Sequence, residues 1–187
     1  MSETTSHPQT AAETVPVRLL GGPDDWHRRV LTDLYTDADL SGPRERLGTY
    51  LISSGVPADH PDPGARAVYE PDAEPAPSDL WFFRGWFPAG PTDPEHRTPD
   101  REIDVAVAVD GEGLPTALTP VGGETVPVDR VLAHWEGTGE DDLAPEAVWH
   151  VATPAGVDWC LSRHLGDRWT GGELPAVPPA QEHPDLS

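Results

Sequence analysis

The density of chain-breaking residues constrains this sequence more than any other feature. Proline occupies 23 of the 187 positions and glycine occupies 18, which together is about twice their usual share. Proline removes a backbone donor and fixes φ, while glycine weakens both helices and strands. The sequence therefore predicts many short elements joined by ordered turns, and it disfavours long helices.

The apolar residues that lie between these breaks follow the period of β-strands. Residues 103–109 alternate valine or isoleucine with aspartate or alanine, and the turn sequence at 110–113 follows them directly. This pattern predicts a strand that enters a hairpin. Residues 147–152 and 157–163 flank a Thr-Pro-Ala-Gly turn and predict a second hairpin.

The fold class is accordingly predicted to be mainly β, either all-β or β-dominant α+β, with short antiparallel strands and hairpins. Two segments, 129–135 and 158–165, fit either a strand or a short helix. Residues 1–15 have no periodicity and predict a disordered tail. A single β-rich domain is expected over residues 16–170, with a subdivision near 88–100, and a disordered proline-rich tail over 171–187.

The charge of the chain restricts its partners. The formal net charge is −21, from 33 acidic residues against 12 arginines, and there is no lysine. Contacts with phosphate groups need clustered basic side chains, so direct binding to nucleic acid or to an anionic membrane surface is not expected. Schiff-base chemistry on a lysine side chain is excluded as well.

The remaining composition points to a cytoplasmic protein. Cys160 is the single cysteine, so no intramolecular disulfide can form. The first 14 residues lack the apolar centre of a signal peptide, and no stretch approaches the ~18 apolar residues of a membrane-spanning helix. No sequence motif implies a cofactor.

The densest apolar run in the chain is the aromatic segment 80–87, which has an arginine in its middle. As a core strand, it would be buried on both faces of a sheet. As a surface, Trp81, Arg84 and Trp86 would form a protein-binding site, because tryptophan and arginine are enriched among interface anchors. Both interpretations remain open from the sequence.

Three histidines in tryptophan-bearing segments are the candidates for a metal site: His134, His150 and His164. If His134 and His150 share a sheet, they could bind a metal together with Glu136 or Asp158. No ligand-spacing motif accompanies them, so a metal site is the minor alternative.

Cys160 and His164 are candidates for a nucleophile and its base. In a helix, residues four apart are neighbours, whereas in a strand they stand about 13 Å apart. The pair would therefore be able to act together only if this segment is helical. A small buried cysteine is the default expectation.

One short motif resembles a known group of proteins. Residues 21–25 read Gly-Gly-Pro-Asp-Asp, and they are followed by Tyr69-Glu70-Pro71 and the aromatic segment Trp81–Phe87. This order over about residues 17–88 resembles small uncharacterised Gly-Gly-Pro-x-Asp proteins of actinobacteria and their phages. The resemblance implies a phage-associated context but no activity and no site residues.

Three functional hypotheses follow from the sequence. The leading one is a non-enzymatic interaction or accessory protein that contacts another protein through an aromatic surface. The second is a small metal-binding protein or enzyme that uses the three histidines. The third is an acidic DNA mimic that inhibits a nucleic-acid-binding protein.

Overall fold

The computed structural model describes residues 13–72, 78–137 and 144–176, and it confirms the mainly β fold. These residues form two sheets of five and seven strands. The only α-helix among them is the single turn α1, Asp37–Leu40, which begins at a capping box formed by Thr36 and Asp39. No helix in the described part of the chain is long and apolar enough to cross a membrane.

The first sheet is built from the N-terminal half of the chain. Its order is β2-β1-β5-β4-β3, and all neighbours are antiparallel except β1 and β5, which run parallel. Leu19, Tyr69 and Trp81 are fully buried in its core. The five strands are β1 Thr14–Leu20, β2 Val30–Thr36, β3 Thr49–Ile52, β4 Arg66–Pro71 and β5 Leu80–Phe87.

The second sheet is built from the C-terminal half, and all of its neighbouring strands are antiparallel. Its order is β8-β7-β6-β12-β11-β10-β9. Leu118, Val151 and Leu161 lie fully buried on one face and form a second core. The seven strands are β6 Ile103–Val109, β7 Pro115–Pro120, β8 Val126–Pro127, β9 Arg130–Glu136, β10 Ala147–Ala152, β11 Asp158–His164 and β12 Arg168–Glu173.

The two segments that fitted either a helix or a strand are strands. They form β9 and β11, which flank β10 in the second sheet. The local sequence could not decide between the alternatives, because each segment is short. The pairing with β10 supplies backbone hydrogen bonds to both and settles the conformation.

The folded part continues further than the sequence predicted, because β12 ends at Glu173 and Leu174 is buried. The predicted start of the disordered tail at Gly171 is wrong, because Gly171 and Gly172 belong to β12. Both glycines are needed for close packing, since a Cβ on Gly172 would overlap the carbonyl oxygen of Arg101 and one on Gly171 would lie 2.9 Å from Leu161. Residues 1–12 and 177–187, where most of the predicted tails fall, lie outside the described residues.

The two sheets meet where β5 and the end of β1 contact β9. The glycine turn after β1 makes the contact. The Gly22 N–H donates to the Leu132 carbonyl of β9 over 2.8 Å, and the Tyr69 hydroxyl donates to the Gly21 carbonyl over 3.0 Å. We call this region, with the side-chain network described below, the sheet junction.

Candidate binding site

The aromatic segment is part of the core up to Trp86, and only Phe87 at its end is exposed. Trp81 is 0% exposed and Trp86 is 7% exposed, and the Trp81 indole N–H donates to the carbonyl of Ser78. The hypothesis that Trp81, Arg84 and Trp86 make an exposed binding site is therefore wrong. The reason is that β5 is the central strand of its sheet, and large aromatic side chains on such a strand are covered on both faces.

Arg84 is also withdrawn from solvent, with 12% of its side chain exposed. Its guanidinium pairs with Asp72 at 2.8 Å and also donates to the carbonyl oxygens of Pro71 and His134. Asp72 in turn lies 2.8 Å from Nε2 of His134, and Nδ1 of His134 lies 2.8 Å from the carbonyl oxygen of Val148. These contacts link the first sheet to β9 and β10 of the second.

The network determines the charge of Asp72. Burial by itself would raise the pKa of this carboxyl, but the hydrogen bonds and positive charges of His134 and Arg84 outweigh it, so the pKa lies below its usual value. His134 is also stacked on Trp149, with ring centroids 4.4 Å apart. The network therefore links the two sheets, with a partly buried ion pair between Arg84 and Asp72 at its centre.

The three candidate histidines do not come together. His134 and His150 lie on adjacent strands, but His134 is opposite Trp149 in the register, so the two histidines point to opposite faces of the sheet. His150 is opposite Cys160, which places His164 four residues further along and about 13 Å away. The predicted shared metal site of His134, His150 and His164 is therefore wrong.

No group of three or more histidine, cysteine or acidic side chains that could hold a metal is found among the described residues. His150 is 1% exposed, and neither of its ring nitrogens has a hydrogen-bond partner there. Burial, with a contribution from the charge of Arg97, lowers the pKa of His150 to about 3. His150 is therefore a neutral core residue that packs on Trp135.

Cys160 lacks the features of a nucleophile. Burial and the charge of Glu102 raise the pKa of its thiol to about 12, despite a hydrogen bond with Ser162. A nucleophilic cysteine needs the thiolate form. Because the segment is a strand, His164 is also too far away to act as its base.

The Gly-Gly-Pro-x-Asp motif has a structural explanation. Gly21 and Gly22 have φ values of +80° and +70°, and side chains at these positions would overlap Leu132 and Tyr69 respectively. The final Asp25 accepts hydrogen bonds from Ser53 and Ser54 in the loop after β3. The motif folds the turn against its neighbours.

An open groove lies elsewhere, where β6 and β12 separate. The register pairs the two strands at only two positions, Ile103 with Gly171 and Asp104 with Thr170. Beyond these positions β6 continues along β7, and β12 continues along β11. The gap between the diverging strands is a groove of about 660 Å³.

The direction of the backbone groups follows from one hydrogen bond. The carbonyl of Asp104 accepts from Val121 on the β7 side, and the backbone groups of successive residues in a strand alternate in direction. Ala106 and Ala108 therefore bond to β7, whereas the N–H and C=O groups of Val105, Val107 and Val109 face the groove. Pro120 and Pro115, which have no N–H, lie opposite Val105 and Val109, as this alternation requires.

The groove has an apolar wall and a charged rim. Val105, Val107 and Trp169 are among its lining residues, and Trp169 packs on Trp149 with ring centroids 5.1 Å apart. The charged lining residues are Asp104, Arg163, Asp167 and Arg168. This arrangement combines a free strand edge, apolar side chains and charges, which are the elements that recognise an extended peptide.

A second exposed apolar group lies on the first sheet, where Tyr50, Ile52 and Phe87 are each more than half exposed. The nearby edge strand β3 is already bridged by side chains. The Trp26 indole donates to the Ile52 carbonyl, and the Tyr35 hydroxyl donates to the Gly48 carbonyl. These bonds use carbonyls on and beside β3, so this edge is less open to a new strand than that of β6.

Sequence reasoning did not find the groove. It located β6 and β7 correctly, but the groove depends on β12, whose glycines suggested a tail. The available signal was Trp169, a large aromatic residue two positions before Gly171 and within the predicted domain, because aromatic residues are uncommon next to disordered segments.

Comparison of the chain with protein-family models, with curated proteins and with solved structures found no match in any of the three. The resemblance of residues 17–88 to actinobacterial and phage proteins therefore stays a prediction.

Proposed function

We propose that this is a non-enzymatic interaction protein that takes up an extended segment of a partner protein in the groove between β6 and β12. In this proposal the protein acts in the cytoplasm and contacts another protein, with no direct contact to nucleic acid. The aromatic contribution comes from Trp169 rather than from Trp81 and Trp86, which are buried.

The observation that carries the proposal is the free edge of β6. Groove-facing backbone groups on Val107 and Val109, beyond the positions at which β6 pairs with β12, have no strand partner among the described residues. An added strand would supply those hydrogen bonds, which give affinity without regard to sequence. The adjacent valine and tryptophan side chains would give the added strand an apolar surface to pack on.

The length of the free edge sets the size of the ligand. From Val105 to Val109 the strand advances by four residues, which is about 13 Å. An extended segment of four or five residues would therefore span it.

The test uses short unconstrained peptides selected from a display library against the full-length protein. Their affinity is then measured by titration calorimetry for the wild type, Val107→Ala and Val107→Pro. The alanine variant keeps the groove-facing N–H, whereas proline removes it. We expect Val107→Ala to weaken binding several-fold and Val107→Pro to weaken it by roughly tenfold more, in line with a lost hydrogen bond.

Melting curves establish whether both variants fold. If Val107→Pro does not fold, hydrogen exchange on the wild type replaces it, and we expect the Val107 and Val109 amides to become protected when peptide is added. Equal affinities for the two folded variants, or no change in exchange at β6, would contradict strand addition.

A further inference from the structure

We infer that the segment taken up by this groove is basic, with lysine or arginine side chains directed at the rim acids Asp104 and Asp167. This inference rests on the proposed function. The charges at the rim would select the side chains of the ligand, whereas the free edge of β6 would bind only its backbone.

The two rim acids lie on opposite sides of the groove. Asp104 is at the point where the strands separate, and Asp167 is in the turn that joins β11 to β12. Both are exposed, and neither side chain takes part in a hydrogen bond or ion pair with the described residues. Their charges are therefore available to a ligand.

The two rim arginines do not cancel these acids. Arg163 lies 3.7 Å from Glu146 and over the ring of Trp149, 5.6 Å from its centroid, so its charge is already matched within the protein. Arg168 has no ionic partner among the described residues and is the one rim charge that opposes a basic ligand. Taken with Glu146, the rim carries one net negative charge.

The net charge of the whole chain also favours a basic ligand. The formal net charge of the chain is −21, so the surrounding field attracts cations and repels anions as a ligand approaches. Trp169, which is half-buried and lines the groove, adds an aromatic ring that a cationic side chain can contact.

The experiment uses three synthetic peptides with the same alternating valine–threonine core. Lysine, glutamine or glutamate occupies the two positions that flank the core. Affinity for the full-length protein is measured by calorimetry at low and high salt. We expect the order lysine, glutamine, glutamate, with roughly tenfold between the lysine and glutamine peptides at low salt, weaker binding still of the glutamate peptide, and smaller ratios at high salt.

Protein variants test the two acids themselves. The double variant Asp104→Asn with Asp167→Asn should bind the lysine peptide roughly tenfold more weakly, at about threefold for each partly exposed pair, and the glutamine peptide with unchanged affinity. Asparagine suits position 167, where φ is +57°, because it tolerates the left-handed conformation. Asp59→Asn is the matched control, since it removes an exposed acid from a loop of the other sheet and should leave both affinities nearly unchanged.

The possible failures are distinguishable. If the glutamate peptide binds as tightly as the lysine peptide, the inference is wrong and strand addition stands. If none of the three binds, including the neutral one, the proposed function itself is contradicted. If the protein self-associates and Val107→Pro makes it monomeric, the occupant is a second copy of the chain and a basic partner segment is ruled out.

Discussion

The sheet junction and the groove are both places where strands from different parts of the chain approach each other, but they are completed in opposite ways. At the junction, Gly22 gives its N–H to Leu132, and Arg84, Asp72 and His134 bond to one another across the gap. At the groove, β6 and β12 separate after two paired residues, and the backbone between them is left open.

This difference separates polar groups that are paired within the protein from backbone groups that are left open. Buried polar groups stabilise a fold only when they are paired, and at the junction the pairing extends from backbone to side chain. Leaving strand edges free invites association with other chains, so a free edge beside an apolar wall suggests a role in binding. The conspicuous motifs of the sequence belong to the junction, and the open site does not contain them.

The junction can be broken most severely at Gly21. A Cβ there would overlap the Leu132 carbonyl oxygen, and the residue has a φ of +80°. We expect Gly21→Ala to lower the free energy of unfolding by about 3–5 kcal/mol in urea titrations. Gly122→Ala is the control, because Gly122 has a φ of +76° but nothing within 4 Å of its Cβ, and it should cost only the backbone strain of about 1 kcal/mol. Equal losses would mean that the turn does not pack tightly on β9.

The ion-pair network at the junction should be the next most sensitive feature. Asp72→Asn leaves Arg84 and His134 without their charged acceptor, and we expect a loss of about 2 kcal/mol by the same titration. In the matched control, Asp79→Asn removes an exposed acid that lies 3.8 Å from Arg18, where a change within about 0.5 kcal/mol is expected. A similar small change at Asp72 would show that the network does not tie the sheets together.

His150 shows the effect of a buried polar group that has no partner. Its folded-state pKa is about 3, against an ordinary 6.5, so only the unfolded chain binds the proton between these values. Protonation of His150 in the unfolded chain therefore costs no stability above pH 6.5. As the pH drops from 6.5 toward 3, it lowers the free energy of unfolding by about 1.4 kcal/mol per pH unit.

His150→Leu has a similar volume and should remove this slope. We expect the difference in unfolding free energy between the variant and the wild type to grow in favour of the variant from pH 6 to pH 4. Thermal unfolding at several pH values measures it. Parallel pH profiles for the two proteins would show that His150 is accessible to protons in the folded state.

The smallest loss of stability is expected when a backbone N–H that faces the groove is removed. Val107→Pro removes an N–H that faces the open side, so we expect a loss of about 1 kcal/mol, mainly from packing. Ala106→Pro removes an N–H that bonds to β7, and it should cost about 3 kcal/mol. If the order of the two losses were reversed, the assignment of backbone directions in β6 would be wrong.

The sequence was informative about the strands and much less so about their arrangement. Alternating valines located β6, and the turn at 153–156 located the hairpin of β10 and β11, because both signals are local. The environment of Arg84 was not local, because its partner Asp72 follows the neighbouring strand β4 and the carbonyl it contacts in β9 comes close only when the sheets dock. The open edge of β6 was also beyond sequence reasoning, because it depends on how far β12 follows β6 before they diverge.

The central claim, that one edge of β6 is free, can be tested directly by amide hydrogen exchange followed by NMR on the protein without ligand. The account predicts alternation along the strand: Ala106 and Ala108, bonded to β7, exchange slowly, while Val107 and Val109, facing the groove, exchange rapidly. Slow exchange at all four amides would contradict the claim, because it would mean that the groove side of β6 is already paired.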